Sequence, residues 1–146
     1  MNNKYGIDAV IFDLDGTLLD TEAFYVKAWP DAAAHFGYHM ERWMALEMRS
    51  LGKPFSRQRF TQWFGEDAPL EEIRAYRRQL MNEVFREKGL PKKSGAEEIL
   101  QWLKKEEIPI AMATANALPV TIDRLTQAGL LEYFDEIVDR AGEARA

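Results

Sequence analysis

Asp13 and Asp15, spaced i, i+2 in Asp13-Leu14-Asp15-Gly16-Thr17, are the residues of this chain best suited to chemistry. They directly follow a nearly continuous apolar run at 7–12, apolar on both faces as a buried parallel strand would be. In open α/β sheets, ligand sites lie at the carboxyl ends of strands. Two carboxylates leaving such an end on the same side offer oxygen ligands to a hard cation such as Mg²⁺. One can attack phosphorus while the other handles a proton. Gly16 lets the backbone turn and bring N–H groups close to an anion. The spacing alone leaves plainer readings open. An Asp-Gly pair can mark only a turn. An EF-hand fits less well, because the glycine is misplaced and Phe24 stands where the bidentate Glu is required.

Thr114-Ala115-Asn116 forms a second constellation, after another apolar run at 108–113 and just before a helical pattern. A hydroxyl and the N–H groups of a helix N-terminus make an anion site. The plain alternative is an ordinary N-cap by Thr114 or Asn116. Neither plain reading accounts well for an acidic and an anion-binding strand end in the same sheet.

The elements that must position these residues follow from periodicity. Residues 21–89 have a helical texture. The first helix spans 22–36 and carries Phe24, Ala28 and Ala32, with Pro30 expected to kink or split it and Gly37 to end it. A second helix is expected over 41–51 with Trp43, Leu46 and Met48 inward, then a turn at Gly52-Lys53-Pro54. Ser56 is placed to N-cap a third helix through Phe64. A fourth starts at Pro69 and repeats Ile73, Tyr76, Leu80 and Val84 up to Gly89. After a linker at 91–95, an amphipathic helix at 96–105 presents Ile99, Leu100 and Leu103. Strand 108–113, a helix at 118–128 stopped by Gly129, and a third strand at 134–138 complete the pattern. This is an α/β parallel-sheet pattern with a helical insertion.

With 146 residues, the chain suits one core domain with a small insertion. Apolar residues at 47% and charged residues at 29% are an ordinary globular balance. Without cysteine there are no disulfides or thiolate metal sites, which fits a reducing cytoplasm. A net charge of -5 argues against nucleic acid as partner. The apolar run from Ala9 to Phe12, bounded by Asp8 and Asp13, is too short for a signal peptide or a membrane span. His35 and His39 are i, i+4, but Gly37 lies between them and no Glu completes a zinc motif, so both are read as structural. Trp29, Trp43, Trp63, Trp102 and Met81 are read as core.

The stretch from Ile11-Phe12-Asp13-Leu14-Asp15 through Gly16-Thr17-Leu18-Leu19-Asp20-Thr21-Glu22 resembles the first signature of the haloacid dehalogenase (HAD) superfamily almost letter for letter. Ile110-Ala111-Met112-Ala113-Thr114-Ala115-Asn116 resembles its second signature, and 130–138 the stretch that introduces the third strand. The resemblance runs from about Tyr5 to Val138. It implies a Rossmann-like parallel core at 1–19 and 90–146, and an inserted helical cap at 20–89 of the type found in the β-phosphoglucomutase-like and phosphoglycolate-phosphatase-like branch. It further implies an aspartyl-phosphate on Asp13, acid/base work by Asp15, and Mg²⁺ held by the Asp13 carboxylate and the Asp15 carbonyl. Thr114, Ala115, Asn116 and Gly16 would contact phosphoryl oxygens, and the substrate would be a small phosphorylated metabolite such as a sugar phosphate. The cap would close over the site, with Lys53 and Arg57 as candidates for a distal anionic group. The mutase branch has a histidine near the position of Tyr25, so Tyr25 and Glu22 favour hydrolysis.

The family pattern also includes a third-signature lysine and, at a fourth strand, an acidic pair. Residues 139–146 contain no lysine, and Asp139 and Glu143 are expected away from a strand end. Arg140 and Arg145 are poor stand-ins for the lysine. Two expectations follow: an impaired hydrolase, or a non-catalytic remnant or half of an assembly that binds phosphate or metal weakly. Without a fourth strand, the first strand is expected at a sheet edge, where it can template self-association.

Overall fold

The computed structural model describes residues 4–52, 54–140 and 144–145. In chain order the elements are β1 Val10–Phe12, α1 Glu22–His35, α2 Arg42–Ser50, α3 Phe55–Phe64, α4 Leu70–Lys88, α5 Ala96–Lys105, β2 Ile110–Ala113, α6 Leu118–Gln127, a single 3-10 turn at Leu131–Tyr133, β3 Glu136–Val138 and β4 Ala144–Arg145. The chain divides into two compact units, one of Met1–Thr21 with Leu90–Ala146 and one of Glu22–Gly89.

The first unit is a sheet of order β1-β2-β3-β4. β1, β2 and β3 are parallel, in the register Val10–Ile110, Phe12–Met112 and Met112–Ile137. The short β4 adds antiparallel to β3, pairing Ala144 with Val138, and nothing in the residue pattern of the tail anticipated it. The two crossovers, through α5 and α6, advance in the same direction. Right-handed crossovers of that kind put both helices on one face of the sheet. Burial agrees: Ile110, Met112 and Ile137 pack with Leu100 and Leu103 of α5 and Leu125 of α6 in one core, which Val10 and Phe12 join at its edge. The alternate residues face the other way, and Ile11 is 69% exposed. The expectation that β1 is buried on both faces is therefore corrected, because among the described residues only one face of the sheet carries helices. β1 also starts later than expected, at Val10, leaving Ile7 exposed.

α6 ends as a left-handed glycine predicts: Gly129 has φ 71°, and the Leu130 N–H turns back to the Leu125 carbonyl at 2.8 Å.

In the helical unit α1 runs unbroken through Pro30. Proline removes one N–H and crowds the preceding turn, but here it does not divide the helix. Trp29, Ala32 and Ala33 of α1 share a core with Met44, Ala45 and Met48 of α2, Phe60 of α3, and Leu70 and Ile73 of α4. Trp43, expected inward, is half exposed; Met44 and Ala45 take the inward positions one step along. Ser56 does not cap α3. Pro54 holds that position, and Ser56 lies buried in the first turn, where its hydroxyl accepts a hydrogen bond from Arg74 at 2.6 Å. His35 is exposed and stacks on Tyr76 with ring centroids 4.0 Å apart. Trp29 and Met81 are buried as expected, and Trp63 and Trp102 are half-buried.

Candidate active site

The loop after β1 is anchored from within. Leu14 is fully buried between an exposed Asp13 and a half-buried Asp15. Its carbonyl accepts N–H groups from Thr17, Leu18 and Leu19 at 3.0–3.3 Å. Leu18 and Leu19 return into the core. The next turn of chain is tied to the linker by two further bonds, Asp20 N–H to the Pro91 carbonyl and Lys93 N–H to the Leu18 carbonyl. Gly16 has φ 79°, a left-handed conformation that side chains disfavour. Its own N–H donates to the Leu19 carbonyl at 2.8 Å. Gly16 therefore shapes the loop, and its own N–H is engaged within that loop.

β2 brings up the second constellation. Thr114 is buried, and its N–H donates to the Val138 carbonyl at 3.1 Å, which locks the strand end to β3. The Thr114 hydroxyl accepts the Asn116 N–H at 3.2 Å. The Asn116 side-chain amide points at the acidic loop and donates to Asp15 Oδ2 at 2.7 Å. The two strand ends, 101 residues apart in sequence, are thus joined directly. Ala115, between Thr114 and Asn116 in the chain, is exposed.

Two further residues meet Asp15 that local pattern reading missed. Thr21, fully buried, donates its hydroxyl to Asp15 Oδ1 at 2.5 Å. Arg124, 4% exposed, lies with Nη1 4.0 Å from the same oxygen. Thr21 had no distinguishing sequence signal beyond its place in the first signature. Arg124 had one: in α6 the buried positions are Thr121, Arg124 and Leu125, so a guanidinium occupies the apolar stripe. A buried charge in such a stripe requires a partner.

Asp139 overturns another expectation. It directly follows β3 and is 9% exposed, and its Oδ2 accepts the Leu118 N–H at the start of α6 at 3.2 Å. It is therefore at a strand end, at the same edge of the sheet as Asp13 and Thr114. The helix N-terminus proposed as part of the anion site already holds this carboxylate. The Ala117 N-cap makes no side-chain bond of its own, so Asp139 satisfies that end of the helix from the neighbouring strand. Arg140 is exposed; Glu143 and Lys53 lie outside the described residues, as does the side chain of Arg145. Arg57 is exposed and pairs with Glu71 at 2.7 Å within the helical unit.

The donors suited to a metal here are oxygens, the exposed Asp13 carboxylate and the Asp15 carbonyl. That fits Mg²⁺, which keeps several waters and is commonly held by one or two carboxylates together with substrate phosphate. The Asp15 carboxylate is already engaged by Thr21 and Asn116. Among the described residues no group of three or more His, Asp or Glu is assembled to hold a metal, and no helix is long and apolar enough to cross a membrane.

Comparison with known proteins gives this geometry a family. The chain is 30% identical over 135 residues to a phosphorylated carbohydrates phosphatase of Thermotoga maritima, covering 90% of this chain and 61% of that protein. It is 30% identical over 138 residues to the fructose-1-phosphate phosphatase of Escherichia coli, covering 88% and 67%. Among solved structures, the β-phosphoglucomutase of Clostridium difficile aligns with a TM-score of 0.69 at 26% identity, over 92% of this chain and 62% of that one. CbbY of Rhodobacter sphaeroides aligns at 0.73 and 24%, over 91% and 63%, a likeness of fold. The chain thus spans about three fifths of the length of most of these relatives. The family model for haloacid dehalogenase-like hydrolases matches residues 10–144, and the chain belongs to that family.

Proposed function

We propose that this chain carries the phosphoryl-transfer site of a phosphohydrolase acting on a small phosphorylated metabolite, a sugar phosphate being the best-supported class. The observation that carries the reading is the direct bond between the two strand ends, Asn116 to Asp15, which sets an exposed nucleophile candidate, Asp13, in the same loop as a held carboxylate. The Thermotoga and Escherichia relatives, named as phosphatases of phosphorylated carbohydrates and of fructose 1-phosphate, support the substrate class.

In this reading an Asp13 oxygen attacks phosphorus while the bond to the leaving oxygen breaks. Asp15 gives that oxygen its proton. Asp15 then takes a proton from water as the water oxygen attacks the aspartyl-phosphate, releasing phosphate and restoring Asp13. Both Asp15 oxygens already accept hydrogen bonds. Each oxygen keeps a second lone pair, so a substrate oxygen or water can join Thr21 or Asn116 there or displace it. Thr114, with its hydroxyl oriented by the Asn116 N–H, and the Ala115 N–H receive phosphoryl oxygens. The Asp13 carboxylate and the Asp15 carbonyl would hold Mg²⁺, which when bound would supply charge neutralisation for the phosphoryl group; with positioning, that is most of what this reaction asks of a protein. The units 1–19 with 90–146 and 20–89 serve as core and cap, and Lys53 and Arg57 as candidates for a distal anionic group; Arg57 would exchange Glu71 for it.

A second reading has one observation in its favour. β1 pairs only with β2 among the described strands, and its Ile11 is open. Such an edge suits association with another chain that completes the site. Hydrolysis of p-nitrophenyl phosphate with and without Mg²⁺, in the wild type and in Asp13→Asn, separates the two. Mg²⁺-dependent turnover lost in Asp13→Asn supports the hydrolase. Turnover that survives Asp13→Asn rejects it, and a silent chain revived only by a second polypeptide favours the assembly.

A further inference from the structure

We infer that Arg124 is a positioning residue for Asp15, fixing from inside the protein the carboxylate that handles the proton; the inference rests on the acid/base role proposed for Asp15. Thr21 and Asn116 hold the two Asp15 oxygens, but both come from loop segments. Arg124 reaches the carboxylate from the middle of α6, whose neighbouring Thr121 and Leu125 are fully buried. Side chains rooted in packed helices hold a site more closely than loop residues do. With 4% of the side chain exposed, the guanidinium has almost no freedom to swing away, and its Nη1 lies 4.0 Å from Asp15 Oδ1, so it acts on the carboxylate as a charge and not through a hydrogen bond.

The charge also has a direction. It approaches the oxygen that accepts the Thr21 hydroxyl. When substrate or water displaces Thr21 from that oxygen, the guanidinium still holds the carboxylate in place. Asp15 can then exchange partners during turnover without losing its orientation. An apolar residue, which the helical stripe would otherwise call for, provides no such hold.

The test uses the full chain and p-nitrophenyl phosphate with Mg²⁺. Arg124→Met is expected to lower kcat about 10- to 100-fold with KM within about twofold, since a misplaced catalytic group loses rate on this scale. Arg124→Lys, which keeps the charge but not the fork, is expected to recover part of the loss. On an Asp15→Asn background, Arg124→Met should add no further loss. A folded Arg124→Met with kcat within about twofold of wild type overturns the inference, as does an equal further loss on the Asp15→Asn background. Urea unfolding of the wild type, Arg124→Met, Asp15→Asn and the double variant reads the contact without turnover. The double variant should lose less stability than the sum of the singles, and additive losses overturn the inference even if Arg124→Met is inactive. Failure of the hydrolase reading shows separately, as turnover insensitive to Asp13→Asn, and the unfolding cycle still decides the Arg124–Asp15 contact.

Discussion

Removing the Asp139 carboxylate should unfasten the N-terminus of α6. In Asp139→Ala the Leu118 N–H loses an acceptor at 3.2 Å in a place where water has little access, since Asp139 is 9% exposed. Losing a side-chain cap costs about 0.5–2 kcal/mol. A negative charge at a helix N-terminus adds about 0.3–1 kcal/mol, and up to about 2 in partly buried geometry. The Ala117 N-cap has no side chain able to take over. We therefore expect Asp139→Ala to lose about 2 kcal/mol. Asp139→Asn keeps an acceptor oxygen and loses only the charge, so it should lose about 0.5–1 kcal/mol. For a chain of this size the alanine variant should melt about 4–8 °C lower, read by far-ultraviolet circular dichroism. Screening should matter little at such a buried site, so the loss should change little with added salt. An alanine variant melting within about 1 °C of wild type refutes the capping role. So does an asparagine variant that falls as far as alanine. Turnover adds a second constraint: a folded Asp139→Asn that loses more than about 100-fold in kcat would move Asp139 from the scaffold into the reacting site.

Ser56→Ala should destabilise the helical unit by about 1–3 kcal/mol, because the buried Arg74 guanidinium loses a hydroxyl acceptor at 2.6 Å; urea unfolding measures it, and Ser56→Thr should retain most of the bond. Ile11→Lys places a charge on an open, edge-strand position and should shift sedimentation toward monomer with little change in melting temperature, whereas unchanged association would remove β1 as the contact. Asp13→Asn should abolish turnover while changing stability by no more than about 0.5 kcal/mol, since the side chain is exposed.

Much of the fold was legible in short stretches. The runs at 7–12, 108–113 and 134–138 all contain strands, and 96–105 is helical from end to end, because period and glycine punctuation are local properties of the chain. The misreadings were also local rules overridden by packing. Ser56 looks like a cap by type, yet the cap position falls two residues earlier, at Pro54, and the hydroxyl turns toward Arg74. Trp43 looks like core by size, yet the face of α2 that meets the other helices is that of Met44, Ala45 and Met48. Asp139 looks like tail, yet its strand places it against a helix 21 residues earlier in the chain.

What the sequence determined by itself was the acidic loop: its two carboxylates, the glycine that turns it, the strand that ends in it and the family it belongs to. These depend on neighbours within a few residues, so composition and spacing suffice to specify them. What only the tertiary structure decided is how Asp15 is held, by Thr21 6 residues away and by Asn116 101 residues away, with the Arg124 guanidinium brought to 4.0 Å of it. Those meetings follow from the register of β1 on β2 and from the face of α6 that packs on the sheet. Register and helix rotation are set by burial of the whole apolar core, and no window of sequence contains that information.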